Sequence, residues 1–243
     1  DKRKLNACYN TSMFPLKDTI RSRSFPAVNW LIILANLAIF VYETSLSSGQ
    51  LEGLITTYGI VPVRLVGGLP QEWLTLFTSM FLHGGWLHVI SNLWALYIFG
   101  DNVEDRMGSG RYLAFYLICG VAAGLAQVFA TPSTRIPSIG ASGAIAGVLA
   151  AYLVLYPGAR VITLIPVFIL PWFVEIPAIL YLGFWFASQL FSGVLSLGTS
   201  TMTGGIAYWA HIGGFVAGLV LVPFFSRRPR AQYRWYPDEY RPW

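Results

Sequence analysis

The chain of 243 residues is 55% hydrophobic and 16% aromatic, with only 11% charged positions and a mean hydropathy of +0.57. A soluble domain carries about 25% charged residues, so this chain has too little charge to cover a surface in water. An ordinary cytosolic enzyme, a disordered chain and a nucleic-acid-binding module are thereby excluded, and the net charge of +5 fits membrane orientation rather than a nucleic-acid partner.

A membrane helix needs about 20 apolar residues, because about 30 Å of hydrocarbon is crossed at about 1.5 Å per residue. In chain order, six runs meet or approach this length: about 27–45, 83–99, 111–130, a short one at 141–156, 174–195 and 206–225. The expected fold class is all-α, a polytopic six-helix membrane bundle. A basic segment, 1–23, precedes the membrane domain 24–225, and a basic, aromatic tail, 226–243, follows it. The stretch 161–173 is apolar but interrupted by Pro166 and Pro171, and reads as an interfacial connection or an early start to the fifth span. Segment 1–23 is basic and Pro-interrupted, and no cleavable signal is evident ahead of the first span. Cys8 and Cys119 lie far apart and imply neither a disulfide framework nor a metal knuckle.

Charge placement orients the chain. Of the 16 Lys and Arg residues, all but Arg64 and Arg135 fall before the first span, at the 2–3 and 4–5 connections, or after the sixth. By the positive-inside rule both termini face the cytoplasm. The expected compartment is a bacterial inner membrane.

Polar residues inside the apolar runs carry the functional reading, because burying them in lipid is costly. His88 and Asn92 are spaced i, i+4 and share a face at the start of the second span. Ser142 opens the fourth span within Gly140-Ala-Ser-Gly, and His211 lies near the start of the sixth, roughly 8 Å deep. Spans two, four and six all run from outside to inside, so these four residues converge in the outer leaflet. Gly143 with Gly147, and Gly214 with Gly218, form GxxxG faces that permit close helix approach. A serine hydroxyl beside an imidazole is a nucleophile and its base. The Ser142 N–H, the Asn92 amide and a ring N–H of His88 are the available donors to an oxyanion.

Each residue also has a plainer role. A serine in a glycine-rich helix start is usually a packing residue, a membrane histidine usually an interhelical hydrogen-bond partner, and His83 reads as interfacial. A zinc site lacks a fourth ligand, second-shell carboxylates and an HExxH pattern, so no metal or other cofactor is expected. No charged residue in the middle of a span marks the ion path of a transporter. The joint occurrence of four such residues at one depth favours catalysis.

The motifs resemble those of rhomboid-family intramembrane serine proteases. His83-Gly-Gly-Trp-Leu-His88-Val-Ile-Ser-Asn92 is similar to the family's second-helix segment, Gly140-Ala-Ser142-Gly143 to its GxSG motif, and Ala210-His211-Ile-Gly-Gly214 to its sixth-helix histidine motif. Glu104 and Arg106 fall in a segment that resembles the family's ExR element. The resemblance covers about 24–225. It implies a Ser142–His211 dyad without a third acid, an opening to the outer side, and endoproteolysis of membrane-anchored proteins near the membrane surface. By the same analogy Phe184-Trp185-Phe186 is a candidate lateral gate.

Two positions depart from the family pattern. Thr75 stands where members often carry an arginine in the first loop, and Ala146 stands where an aromatic often packs on the histidine. Tyr208 and Trp94 are the candidates to replace that aromatic. These departures support an alternative, a weak or inactive relative that binds transmembrane helices as a chaperone or complex subunit. In either case the partners are transmembrane proteins and the lipid bilayer.

Overall fold

The computed structural model describes residues 14–68, 70–167, 170–197 and 207–227. A short strand, β1 (Phe14–Asp18), leads into helix α1 (Ala27–Ser45). The first loop is helical in pieces: α2 (Ser48–Tyr58), α3 (Pro62–Val66), a 3-10 turn at Pro70–Leu74 and α4 (Thr75–Thr78). Helix α5 (Trp86–Ala95) continues through a π-turn at Leu96–Gly100 into α6 (Asp101–Met107). Then come α7 (Ser109–Ala130), α8 (Ser142–Leu155), strands β2 (Arg160–Val167) and β3 (Leu170–Pro177), α9 (Ala178–Leu197) and α10 (Tyr208–Phe225).

Among the described residues, four helices are long and apolar enough to cross a membrane: α1, α7, α10 and the run Ala178–Ser196 of α9. Helix α8 is apolar but has only 14 residues, and the second expected span is the helix interrupted at Leu96–Gly100.

The fold is mostly helical, as expected, but it also holds one small sheet. The described residues of the stretch 161–173, expected to be a connection or helix start, lie in a three-stranded antiparallel sheet of order β1-β2-β3. Phe14 pairs with Leu164 and Asp18 with Val161, while Arg160 pairs with Pro177 and Val167 with Leu170. The β-branched sequence Val161-Ile162-Thr163 suits a strand, and Val161 and Thr163 are both fully buried on one face. Consequently the fifth helix begins at Ala178 rather than near 174. β1 falls within the segment expected to precede the membrane domain, and of the tail 226–243 only Ser226 and Arg227 are described.

Helix α8 lies at the centre. Gly143 through Tyr152 are all buried, enclosed by α7 and α10. The glycine faces are in direct register: a Cβ on Gly214 would collide with the Gly143 carbonyl, and one on Gly218 would sit 2.5 Å from the Gly147 carbonyl. Helices α8 and α10 therefore meet backbone to backbone, as small-residue faces allow.

Polar residues fix the remaining helices. Glu104 is buried, and its carboxylate accepts the Val28 N–H (3.1 Å), the Asn29 N–H (2.7 Å) and the Ser109 hydroxyl (2.6 Å). It thus satisfies two of the free N–H groups that open α1. This is the structural use of the glutamate in the ExR-like segment; Arg106 lies over the Tyr156 ring at 5.6 Å.

Candidate active site

Ser142 is the first residue of α8. Gly140, at φ +124°, turns the chain into the helix, a conformation that favours glycine. At this position the Ser142 N–H has no partner within the helix. His211 stands one turn into α10, and its Nε2 lies 2.7 Å from Ser142 Oγ. Both residues are half-buried. The start of α10 is held by Gln127 of α7, whose Oε1 accepts the Ala210 N–H at 3.2 Å.

His88 reaches the same place from α5, with Asn92 one helical turn further on. The Gly84 N–H donates to His88 Nδ1 at 3.4 Å, which leaves the proton on Nε2. A Cβ on Gly140 would lie 2.7 Å from that Nε2 and 3.8 Å from Ser142 Oγ, so His88 faces Ser142 across a glycine. Asn92 is buried, and its Nδ2 has no hydrogen-bond partner among the described residues. Such a donor is costly to leave unpaired and is available to a charge that appears only during reaction.

His83, expected to be interfacial, is instead 2% exposed. Its N–H donates to the Glu43 carboxylate at 3.2 Å, and its ring meets His88 edge-on at 5.1 Å between centroids. It backs His88 rather than facing solvent. No group of three His, Cys, Asp or Glu side chains is placed to hold a metal among the described residues.

The aromatic partner of His211 is neither Tyr208 nor Trp94. Trp94 is exposed and donates its indole N–H to the Pro15 carbonyl at 2.6 Å. Trp185 of α9 fills the role, its ring 5.7 Å from the imidazole centroid. Phe186 stacks on Phe215 at 4.1 Å. Of the run expected as a gate, only Phe184 is exposed, at 73%.

Gln189, one helical turn beyond Trp185, was not singled out from sequence. Its Oε1 lies 2.8 Å from His211 Nδ1. The signal was present, because Gln189 is the only carboxamide in the apolar run 178–197, and polar side chains in such runs mark function. A small cleft lies beside Ser142 and is lined by small residues such as Gly120, Ala123, Gly124 and Ala144.

The absent first-loop arginine is also compensated. Thr75 is buried and donates its hydroxyl to the Glu72 carbonyl. A guanidinium arrives from α3 instead: Arg64 Nε donates to Glu72 Oε1 at 3.0 Å, Nη2 reaches the same oxygen, and Nη1 donates to the Thr56 carbonyl at 2.6 Å.

A family model described as the rhomboid domain matches residues 70–228. The chain is similar to Rhomboid-like protein 11, chloroplastic, of Arabidopsis thaliana, at 33% identity over 82% of this chain and 66% of that protein. It is similar to Rhomboid protease GluP of Bacillus subtilis at 37% identity over 53% of this chain and 24% of that protein. Rhomboid protein 1, mitochondrial, of Saccharomyces cerevisiae is 27% identical over 67% of this chain and 47% of that protein. The chain thus spans 66% or less of the length of each. These names include chloroplastic and mitochondrial proteins, so they do not support the expected bacterial inner membrane; the apolar helices make this an integral membrane protein.

Proposed function

The chain belongs to the rhomboid family, and from that premise we propose that it is an intramembrane serine endopeptidase acting on membrane-anchored proteins near the outer membrane surface. The observation that carries this reading is the 2.7 Å approach of His211 Nε2 to Ser142 Oγ. In the proposed reaction Ser142 Oγ attacks the scissile carbonyl carbon as His211 Nε2 takes the hydroxyl proton. The oxyanion accepts hydrogen bonds from the Ser142 N–H, the Asn92 amide and the His88 Nε2–H. His211 then gives its proton to the leaving amine, and the peptide bond breaks. Water, activated by the same imidazole, attacks the acyl carbonyl and restores the serine.

Three features support the remaining parts of the proposal. The small-residue cleft beside Ser142 suits a small side chain next to the scissile bond. Six helical crossings are proposed, with α8 and the α5–α6 helix as the second type of crossing beside the four long ones; 1–23 and 226–243 then face the cytoplasm. Trp185 at His211 and Arg64 at Glu72 stand in for the missing aromatic and arginine, which weakens the alternative of an inactive helix-binding relative.

The test is labelling of the detergent-purified protein by a serine-directed fluorophosphonate, together with cleavage of a transmembrane model substrate. Ser142→Ala and His211→Ala should each abolish both, with the double variant no worse, because residues acting as a unit are non-additive. Labelling that persists in Ser142→Ala rules the proposal out.

A further inference from the structure

We propose that Gln189 is a positioning residue that fixes His211 in the one neutral tautomer able to accept the Ser142 proton. The inference rests on the protease reading and goes beyond a two-residue dyad.

The direction of each hydrogen bond can be followed from the backbone inward. Ser188 Oγ lies 2.6 Å from the Trp185 carbonyl, which can only accept, so the Ser188 proton is committed there. The hydroxyl oxygen is left to accept, and Gln189 Nε2 donates to it at 3.0 Å. This fixes which end of the carboxamide faces the imidazole, an assignment made from the network of partners. Oε1 therefore points at His211 Nδ1, 2.8 Å away. An amide oxygen cannot donate, so Nδ1 must carry the proton. A neutral imidazole has one N–H, and Nε2 is then a bare lone pair 2.7 Å from the Ser142 hydroxyl.

The opposite tautomer would present an N–H to that hydroxyl and could not serve as base. Histidine alone populates both, so the fraction competent for proton transfer depends on what Nδ1 meets. Once Nε2 takes the proton, Nδ1–H still donates to Oε1 and the imidazolium keeps its orientation. A carboxylate in this place would do the same at the cost of burying a charge in an apolar bundle; the neutral amide avoids that cost. Trp185 and Gln189 lie on one face of α9 at i, i+4. One helix thus sets both the plane of the ring, through the indole, and its protonation, through the amide.

The test compares full-length wild type, Gln189→Leu and Gln189→Glu in detergent, following fluorophosphonate labelling rate against pH, with thermal stability measured on each and Ser142→Ala as control. Gln189→Leu conserves volume but cannot accept; its plateau rate should fall about tenfold or more with stability nearly unchanged. Gln189→Glu restores an acceptor, so it should recover most of the rate while the acidic limb of the profile moves to higher pH. A purely structural glutamine would instead lose rate and stability together, with no rescue by glutamate and no movement of the limb. If Gln189→Leu fails to fold, Ser188→Ala frees the amide to turn over and should slow labelling several-fold with the limb in place. Wild-type rates in Gln189→Leu or in Ser188→Ala, or an unmoved limb in Gln189→Glu, overturn the inference. Wild type that takes no label, or label retained in Ser142→Ala, overturns the protease reading itself.

Discussion

The indole of Trp185 lies against the imidazole of His211, with ring centroids 5.7 Å apart and planes inclined by 36°. The contact comes from α9, whereas the family pattern would place an aromatic at Ala146 on the nucleophile's own helix. Ala146 is fully buried at 0% exposure, so no space remains there for a ring. Trp185→Ala should lower the cleavage rate several-fold, since an aromatic contact contributes about 0.5–1.5 kcal/mol. Ala146→Phe should overpack the helix and cost about 1–3 kcal/mol of stability with loss of activity. Cleavage rates and thermal stability of both variants check the pair. An Ala146→Phe protein that is faster and equally stable would show that Trp185 does not occupy the role.

The contact between Gly143 and Gly214 sets the distance from Ser142 to His211. A Cβ at 214 would drive α10 away from the Gly143 carbonyl. Gly214→Ala is expected to abolish fluorophosphonate labelling while costing about 1–3 kcal/mol. Gly110→Ala, where a Cβ meets nothing within 4 Å, should leave labelling intact. Equal labelling of the two variants would contradict this use of the glycine face.

Arg64 anchors the first loop through Glu72, a carboxylate only 2% exposed. Removing the guanidinium strands a buried charge. Arg64→Met should therefore cost about 1–3 kcal/mol, and Glu72→Gln less, because the amide stays neutral. In a double-mutant cycle, Arg64→Met with Glu72→Leu should recover much of the loss, since replacing both partners is gentler than removing one. Additive losses would mean that the two side chains act separately.

Stability also depends on pH through β1. Asp18 of β1 accepts hydrogen bonds from the Tyr152 hydroxyl of α8 and from Asn102 Nδ2 at 3.0 Å. Burial, the largest cause, pushes its carboxyl up from the ordinary 3.8 to about 6. The folded chain thus holds a proton that the unfolded chain releases, and the stability this gives is full below about pH 4. It declines as pH rises to about 6 and is constant above. Asp18→Asn keeps an acceptor for Tyr152 and removes the titration. Its melting temperature should vary less between pH 4 and 6 and equal or exceed wild type at pH 7.5. An unchanged slope in Asp18→Asn would place the titration elsewhere.

The sequence by itself determined the apolar helices and singled out four polar residues within them. Long apolar runs have one stable form in a membrane, and polar side chains such as Ser142, His211, His88 and Asn92 are costly to place within them. The glycine spacing further specified which helix faces meet, because only backbone-level approach makes small residues useful there. What lay beyond the sequence depends on how distant segments are rotated and paired. The strands at Arg160–Val167 and Leu170–Pro177 exist through each other and through β1, more than 140 residues earlier at its closest pairing, so an apolar run with prolines gave no local sign of them. Trp185 and Gln189 reach His211 only because α9 turns that face toward α10. A different rotation of the same helix would send both into lipid, and helical periodicity is indifferent to that choice. Packing of α9 against α10 decided it, and with it the orientation of the base.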